Sequence, residues 1–257
     1  LVTASHPTST VIRLGTDRNR REPPSRTAVM NVREEFDDWA REGRDRGMEE
    51  RHLNTAKHAL ARIPVEEGDY VLDIGTGSGY APRALRERGA GRAYGLDASP
   101  EMLRNARGYT DGDGVGYVRG DFEHLPFDDG VFDGVFSMEA FYYARDPLDA
   151  LAEVRRVLRP GGTFYCAVNF FEESETTHRW QEKVDVGMTL WSREEYREAF
   201  REAGFYVASQ DHIPDREVDI PPADEFPTDD WESREAMVDR YRRWGTLLTV
   251  GVSTENE

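Results

Sequence analysis

Asp73-Ile74-Gly75-Thr76-Gly77-Ser78-Gly79 is the stretch on which the fold of this 257-residue chain turns. It follows the apolar run Tyr70-Val71-Leu72 and opens into a helix-like segment from Tyr80 to Arg88. A buried strand, a tight glycine turn and a helix N-terminus in that order make a cradle for a small molecule. Glycines at alternate positions permit unusual backbone angles and leave no Cβ between main chain and ligand. Free amides at the helix start attract an anionic group such as a carboxylate. Asp97 ends the next strand-like run, Ala93-Tyr94-Gly95-Leu96, where it is placed to accept hydrogen bonds from ribose hydroxyls. These residues together predict an adenosine-containing cofactor.

A dinucleotide fingerprint would read G-x-G-x-x-G. Counting from Gly75 puts Tyr80 at the third glycine, and counting from Gly77 puts Pro82 there. The pattern is instead D-x-G-x-G-x-G, with the acid inside the strand end. It resembles the nucleotide loop of class I S-adenosylmethionine-dependent methyltransferases, and the resemblance continues in order from Tyr70 to Phe205. Gly95-Leu96-Asp97-Ala98-Ser99-Pro100-Glu101-Met102-Leu103 is similar to the family's ribose-binding motif. Gly120-Asp121-Phe122-Glu123-His124-Leu125-Pro126-Phe127 is similar to its adenine-binding segment. Phe132-Asp133-Gly134-Val135-Phe136-Ser137 resembles the fourth strand. The run from Glu153 to Gly162 resembles the helix and turn before the fifth. A lone glycine loop is weak evidence, whereas four motifs in order are strong.

The resemblance implies S-adenosylmethionine as cofactor and assigns roles to residues. Asp73 orients the loop or reaches the methionine amino group, Gly75, Gly77 and Gly79 admit the ligand to the backbone, and Asp97 holds the ribose. Asp121 accepts from the adenine amino group while the Phe122 main chain meets the ring. Thr76, Ala98 and Ser137 complete the expected cofactor set. Met102 packs either against adenine or, at helical spacing with Leu103, in the core.

Strand-like runs at 70–74, 92–97, 115–119, 131–137 and 162–169 alternate with helical patterns at 80–88, 99–107, 147–158 and 193–203. Such alternation predicts an α/β fold, a doubly wound parallel sheet with helices on both faces. Further strands are expected at 204–208 and 246–250. The resemblance makes the sheet seven-stranded and mostly parallel, with the last strand antiparallel between the fifth and sixth. Three flanking regions stand out. Residues 1–29 carry five arginines and two acids without periodicity, and read as a disordered or upstream-extended basic tail. Residues 30–64 read as two amphipathic helices joined at a glycine connector, either a lid over the cofactor or ordinary docking helices. Residues 65–257 form the remaining domain, interrupted near 211–239 by an insertion with eleven acids and four prolines.

Fifty acids against thirty-three bases give a net charge of −17, and only Lys57 and Lys183 are lysines. This composition is halophile-like, since high salt screens the self-repulsion of so many carboxylates. A field this negative repels phosphate backbones, so no nucleic-acid partner is expected. No run reaches the roughly eighteen apolar residues of a membrane span, nor does the start read as a secretory signal, which predicts a cytoplasmic protein. Cys166, the one cysteine, falls in a predicted strand and reads as a core residue. No two of the six histidines are spaced i,i+4, so no metal is predicted.

Methyl transfer from a sulfonium needs alignment and water exclusion more than a catalytic triad. The segment Ser137-Met138-Glu139-Ala140-Phe141-Tyr142-Tyr143 follows the fourth strand at the carboxyl edge, where ligands bind in open α/β sheets. Glu139 is the general-base candidate by charge, and Tyr142 and Tyr143 stand where many relatives carry histidine. His178, Trp180 and Trp191 are candidates for an acceptor pocket. The expected function is methyl transfer to a small-molecule acceptor, apolar or aromatic, with an overall resemblance to the quinone-biosynthesis methyltransferases. The alternatives are a binding-only regulatory protein or an NAD-dependent oxidoreductase.

Overall fold

A computed structural model describes residues 26–184 and 186–254. Seven strands form one sheet in the order β3-β2-β1-β4-β5-β7-β6. They are β1 (Tyr70–Ile74), β2 (Arg92–Asp97), β3 (Val115–Arg119), β4 (Phe132–Met138), β5 (Leu158–Val168), β6 (Phe205–Ile213) and β7 (Thr246–Ser253). The first five run parallel, and β7 pairs antiparallel with both β5 and β6. The expected seven-stranded order is therefore the observed one. The sixth strand runs five residues past its expected end at Ala208.

Alternate side chains of the central strands enter two separate cores, as a sheet covered on both faces requires. Leu72, Val135, Phe164 and Cys166 pack on one face with α5 (Pro147–Val157) and α7 (Arg193–Glu202). Val71, Phe136, Tyr165 and Ala167 pack on the other with α2 (Arg44–Leu60) and α3 (Tyr80–Glu87). Each fully buried leucine or phenylalanine contributes about 1.5–3 kcal/mol.

Short-range signals set the helix starts. Ser99 accepts from the Met102 amide and Pro100 occupies the first turn of α4 (Pro100–Gly108). Asp146 and Pro147 do the same for α5. Ser192 and Glu195 form a reciprocal capping box at α7. Each arrangement satisfies amides that have no partner inside the helix.

At the N-terminal side, α1 (Arg26–Arg41) begins four residues before the boundary expected at 30, and Gly43, in a left-handed conformation, joins it to α2. The rest of the expected basic tail, residues 1–25, lies outside the described residues. The acidic insertion leaves the sheet at Pro214 rather than 211, because β6 continues to Ile213. It returns through α8 (Arg234–Val238) and a π-helical turn, Asp239–Trp244. The short helix α6 (Trp180–Lys183) lies between β5 and α7. Asn54 on α2 donates to both oxygens of Asp215 at 3.2 Å, and Lys57 pairs with Glu217, so the insertion docks on α2.

Candidate active site

The glycine turn is bolted to its neighbour strand by main chain and by one carboxylate. The Gly75 and Thr76 amides both donate to the Leu96 carbonyl, at 2.8 and 2.9 Å. Asp97 accepts from the Gly77 amide through Oδ2 and from the Ser99 amide through Oδ1, each at 2.9 Å. A carboxylate oxygen has more than one acceptor site, so Asp97 keeps capacity for further donors. Burial pushes its pKa up to about 6 against the lowering effect of those amides.

The three glycines divide the work that the sequence assigns to them jointly. A Cβ on Gly77 would meet nothing within 4 Å, which leaves its face open. One on Gly75 would collide with Ala140, and one on Gly79 with the Tyr117 hydroxyl. All three positions hold positive φ, 72°, 50° and 78°, so it is the collisions that set Gly75 and Gly79 apart. Gly75 and Gly79 therefore serve the packing of the turn, and Gly77 faces open space.

In front of this turn is an open cleft of about 1030 Å³, mouth included. Asp73, Gly75, Thr76, Gly77, Asp97, Ala98, Met102, Asp121 and Phe122 line it, as does Tyr143. Asp73 lies at its floor, accepting from the Thr76 hydroxyl at 2.6 Å. Burial, with Asp97 adding to it, drives the Asp73 pKa up to about 8 although the Thr76 bond opposes this. Asp121 Oδ1 has no hydrogen-bond partner; His124 Nδ1 stands 3.5 Å away.

Gly79 and Ser137, both expected at the cofactor, do not line the cleft. The Ser137 hydroxyl donates to the Ile74 carbonyl at 3.1 Å and ties β4 to the end of β1. Glu139, the expected general base, also lies off the cleft. Its backbone is left-handed (φ 54°), and its side chain accepts from the Asn169 amide at 2.8 Å and the Thr246 hydroxyl at 3.2 Å. The carboxyl thus joins β4 to β7 and the residue following β5. Burial raises its pKa to about 7 against the pull of Arg240.

Several cleft residues come from α1 and α2, where sequence periodicity indicates helices but not which side chains face a ligand. Asp37 accepts from the Ser99 hydroxyl at 2.6 Å and clamps α1 onto the start of α4. Glu49 accepts from the Ser78 hydroxyl at 2.7 Å and clamps α2 onto the glycine turn. Asp45 lines the cleft with Oδ2 held by Asn105 at 3.2 Å, while its buried Oδ1 has no partner. Such an orphaned acceptor fits a hydroxyl or amine donor from a bound ligand.

A second open chamber, about 990 Å³, adjoins the first, and Met48 and His52 line both. Tyr142 faces this second space, together with Trp180 and residues of the acidic insertion. Burial, assisted by Arg51 and Arg240, holds the His52 pKa down to about 3, so its imidazole is neutral. Burial pushes the Tyr143 phenol up to about 12 and raises Tyr142 as well, so both act as hydroxyls rather than phenolates near neutral pH. The Trp180 indole donates to the Tyr143 hydroxyl at 3.2 Å. His178 and Trp191, expected near an acceptor, line neither space. His178 contacts the Phe171 carbonyl at 3.2 Å, and Trp191 packs edge-on against Tyr196. Among the described residues, no group of three or more His, Cys, Asp or Glu is placed to hold a metal ion.

Comparison with known proteins accords with this geometry. Residues 72–166 match a methyltransferase-domain family. A solved complex between the Haloferax volcanii Trm112 methyltransferase activator and a methyltransferase aligns with 64% identity and a TM-score of 0.84. It covers 86% of this chain and 98% of that one. A sterol 24-C-methyltransferase from Kluyveromyces lactis is 26% identical over 77% of this chain and 58% of its own length. Cycloartenol-C-24-methyltransferase 1 from Oryza sativa subsp. japonica is 30% identical over 59% of this chain and 48% of its own. The chain thus spans about half the length of those two curated relatives. The chain belongs to the class I S-adenosylmethionine-dependent methyltransferases, and S-adenosylmethionine is its cofactor. No helix among the described residues is long and apolar enough to cross a membrane.

Proposed function

We propose that the first cleft holds S-adenosylmethionine and that the second chamber admits a small-molecule acceptor with an aromatic or apolar body. The observation that carries this reading is the shared wall: Met48 and His52 border both spaces, so ligands in the two would meet there. Bound cofactor supplies an electrophilic methyl group on a sulfonium. Asp97 and the partnerless Asp45 and Asp121 oxygens suit donors on the ribose and adenine. Asp73 suits the methionine ammonium, because an approaching cation relieves the burial of its carboxylate. Gly77 leaves the backbone accessible. Tyr143 and Tyr142, as un-ionised phenols, orient an acceptor through hydrogen bonding, and α1 and α2 exclude water. Glu139 is proposed as a structural carboxylate rather than the base.

The motif resemblance to quinone-biosynthesis enzymes and the match to sterol methyltransferases both support an acceptor with a carbon framework. The halophile-like composition is supported by the Haloferax volcanii relative. The lone Cys166, buried and free, suits the reducing cytoplasm in which we place the protein. A second reading concerns partner and acceptor. Because the 64% identical relative is held by a Trm112 activator, we propose an activator of that kind for this chain, and with it a macromolecular acceptor as the competing possibility.

Calorimetry with S-adenosylmethionine, S-adenosylhomocysteine and NAD tests the first cleft, with the two sulfur ligands expected to bind and NAD not. Incubation with methyl-labelled cofactor and fractionated cell extract tests the acceptor. Label in the low-molecular-mass fraction supports the small-molecule reading, and label confined to protein or RNA favours the other. Cofactor binding with no labelled product in any fraction would leave the binding-only reading.

A further inference from the structure

The second chamber has a charge opposite to that of the chain as a whole. Overall, 50 acids face 33 bases. On the chamber wall stand three arginines, Arg51, Arg179 and Arg240, against one carboxylate, Asp230, which is already engaged. We propose that this chamber binds the acceptor by an oxyanion, a carboxylate or phosphate attached to a planar body. The inference rests on the methyl-transfer reading above and specifies the acceptor class of that same site.

Three further features support it. Each arginine is held against an aromatic face: Arg179 lies 4.3 Å from the Trp231 ring centre, Arg240 5.1 Å from Tyr241, and Arg51 5.4 Å from Trp180. Guanidinium groups stacked in this way can still turn in-plane N–H donors toward an oxyanion, with one of Arg240's already given to the Gly245 carbonyl at 2.7 Å, while Trp180, Trp231 and Tyr241 on the wall offer aromatic surface to a flat ligand. The Thr176 hydroxyl, also on the chamber wall, is buried without a hydrogen-bond partner, and a hydroxyl so placed can donate to an anion. Burial lowers the Arg240 pKa, and Glu139, Tyr241 and Asp215 oppose this in part. A bound anion would add to that opposition.

The position of the chamber gives the anion a mechanical role. Trp231, Arg240 and Tyr241 lie in the insertion and the π-helical turn after it, Arg51 on α2, and Arg179 and Trp180 at the start of α6. An anion bridging these elements would fix the acceptor body while its far end reaches Met48 and His52 beside the cofactor cleft. Uniform anchoring far from the reacting atom is a common use of binding energy.

The test is calorimetry on the full chain saturated with S-adenosylhomocysteine, at fixed ionic strength. The probes are 4-hydroxybenzoate, phenyl phosphate, inorganic phosphate and the neutral 4-hydroxybenzamide. The two aromatic anions should bind at least about tenfold tighter than the amide. The tighter of the two identifies carboxylate or phosphate as the natural anchor. Arg51→Gln and Arg179→Gln should each weaken anion binding by about tenfold and leave the homocysteine ligand's affinity unchanged. The exposed Arg201→Gln, with the same loss of charge on α7, should change neither.

Equal binding of anions and amide, or an equal loss in the Arg201 variant, would overturn the proposal. Inorganic phosphate binding as tightly as phenyl phosphate would overturn the planar body. Full affinity for S-adenosylhomocysteine without anion binding would sink the acceptor class and leave methyl transfer standing. Absence of S-adenosylhomocysteine binding would overturn the methyl-transfer reading and this one with it.

Discussion

Cofactor binding should release a proton from Asp73. In the free protein burial raises this carboxyl to about 8, so at pH 7 it is about nine-tenths protonated. A cation arriving beside it favours the charged form and returns it toward the ordinary carboxylate range near 4. Binding at pH 7 then releases about 0.9 proton, falling to about 0.1 at pH 9. Apparent affinity should rise about tenfold per pH unit between pH 5 and 8, about 1.4 kcal/mol per unit, and flatten above. Titration calorimetry in two buffers of different ionisation enthalpy measures the proton count directly. In Asp73→Asn the amide oxygen still accepts from Thr76, but there is no proton to lose. The difference between wild type and variant therefore isolates Asp73 from ionisations of the ligand itself. Stability offers a second readout. The raised folded pKa stabilises the free protein fully below the unfolded value near 4, and that stabilisation disappears as pH climbs through about 8. The melting-temperature gain from cofactor should consequently grow from pH 6 to 8. Equal proton release in wild type and Asp73→Asn would refute the assignment of Asp73 to a cationic part of the ligand.

Three further variants test the site. Gly77→Val places a branched side chain in the open face of the turn at a φ of 50°, so besides about 1–3 kcal/mol of local strain, cofactor binding should vanish in calorimetry while circular dichroism shows the sheet retained. Gly79→Ala should differ: the Tyr117 collision and the 78° φ should cost about 1–3 kcal/mol in denaturant titration, while cofactor affinity of the folded variant is largely kept. Glu139→Gln should keep methyl transfer within about threefold, because the carboxyl lines neither cavity, and a hundredfold loss would restore it as a chemical group. The same variant should flatten the pH dependence of stability, since the proton on Glu139 stabilises the fold fully below about 4.5 and is lost as pH passes about 7.

Much of this protein was legible along the chain because the relevant physics is local. The strand-to-glycine-to-helix order around Asp73 and the alternation of strand-like runs with helical patterns depend on neighbours a few residues apart. They located the parallel strands, the cradle and the acid at the end of β2. The antiparallel insertion of β7 came from family resemblance, since nothing in Thr246–Ser253 itself states its pairing partners. Gly75, Gly77 and Gly79 look alike in sequence, yet only the approach of Ala140 and Tyr117 from distant elements separates the two that pack from the one that faces open space. Glu139 carries the right charge at the right strand end for a base. Its left-handed backbone and the Thr246 hydroxyl, more than a hundred residues away, turn it into the sheet instead.

The second chamber was beyond sequence reading for the same reason. Its arginines come from α2, from the residue that precedes α6 and from the turn that follows an insertion rich in acids, so composition pointed away from a cationic site. Periodicity and turn chemistry act through bonds and short separations, and they determined the scaffold and the cofactor turn. The facing of Asp45, His52 and Arg240 depends on how α1, α2 and the insertion close over the sheet, a matter of packing between remote segments that only the tertiary structure decided.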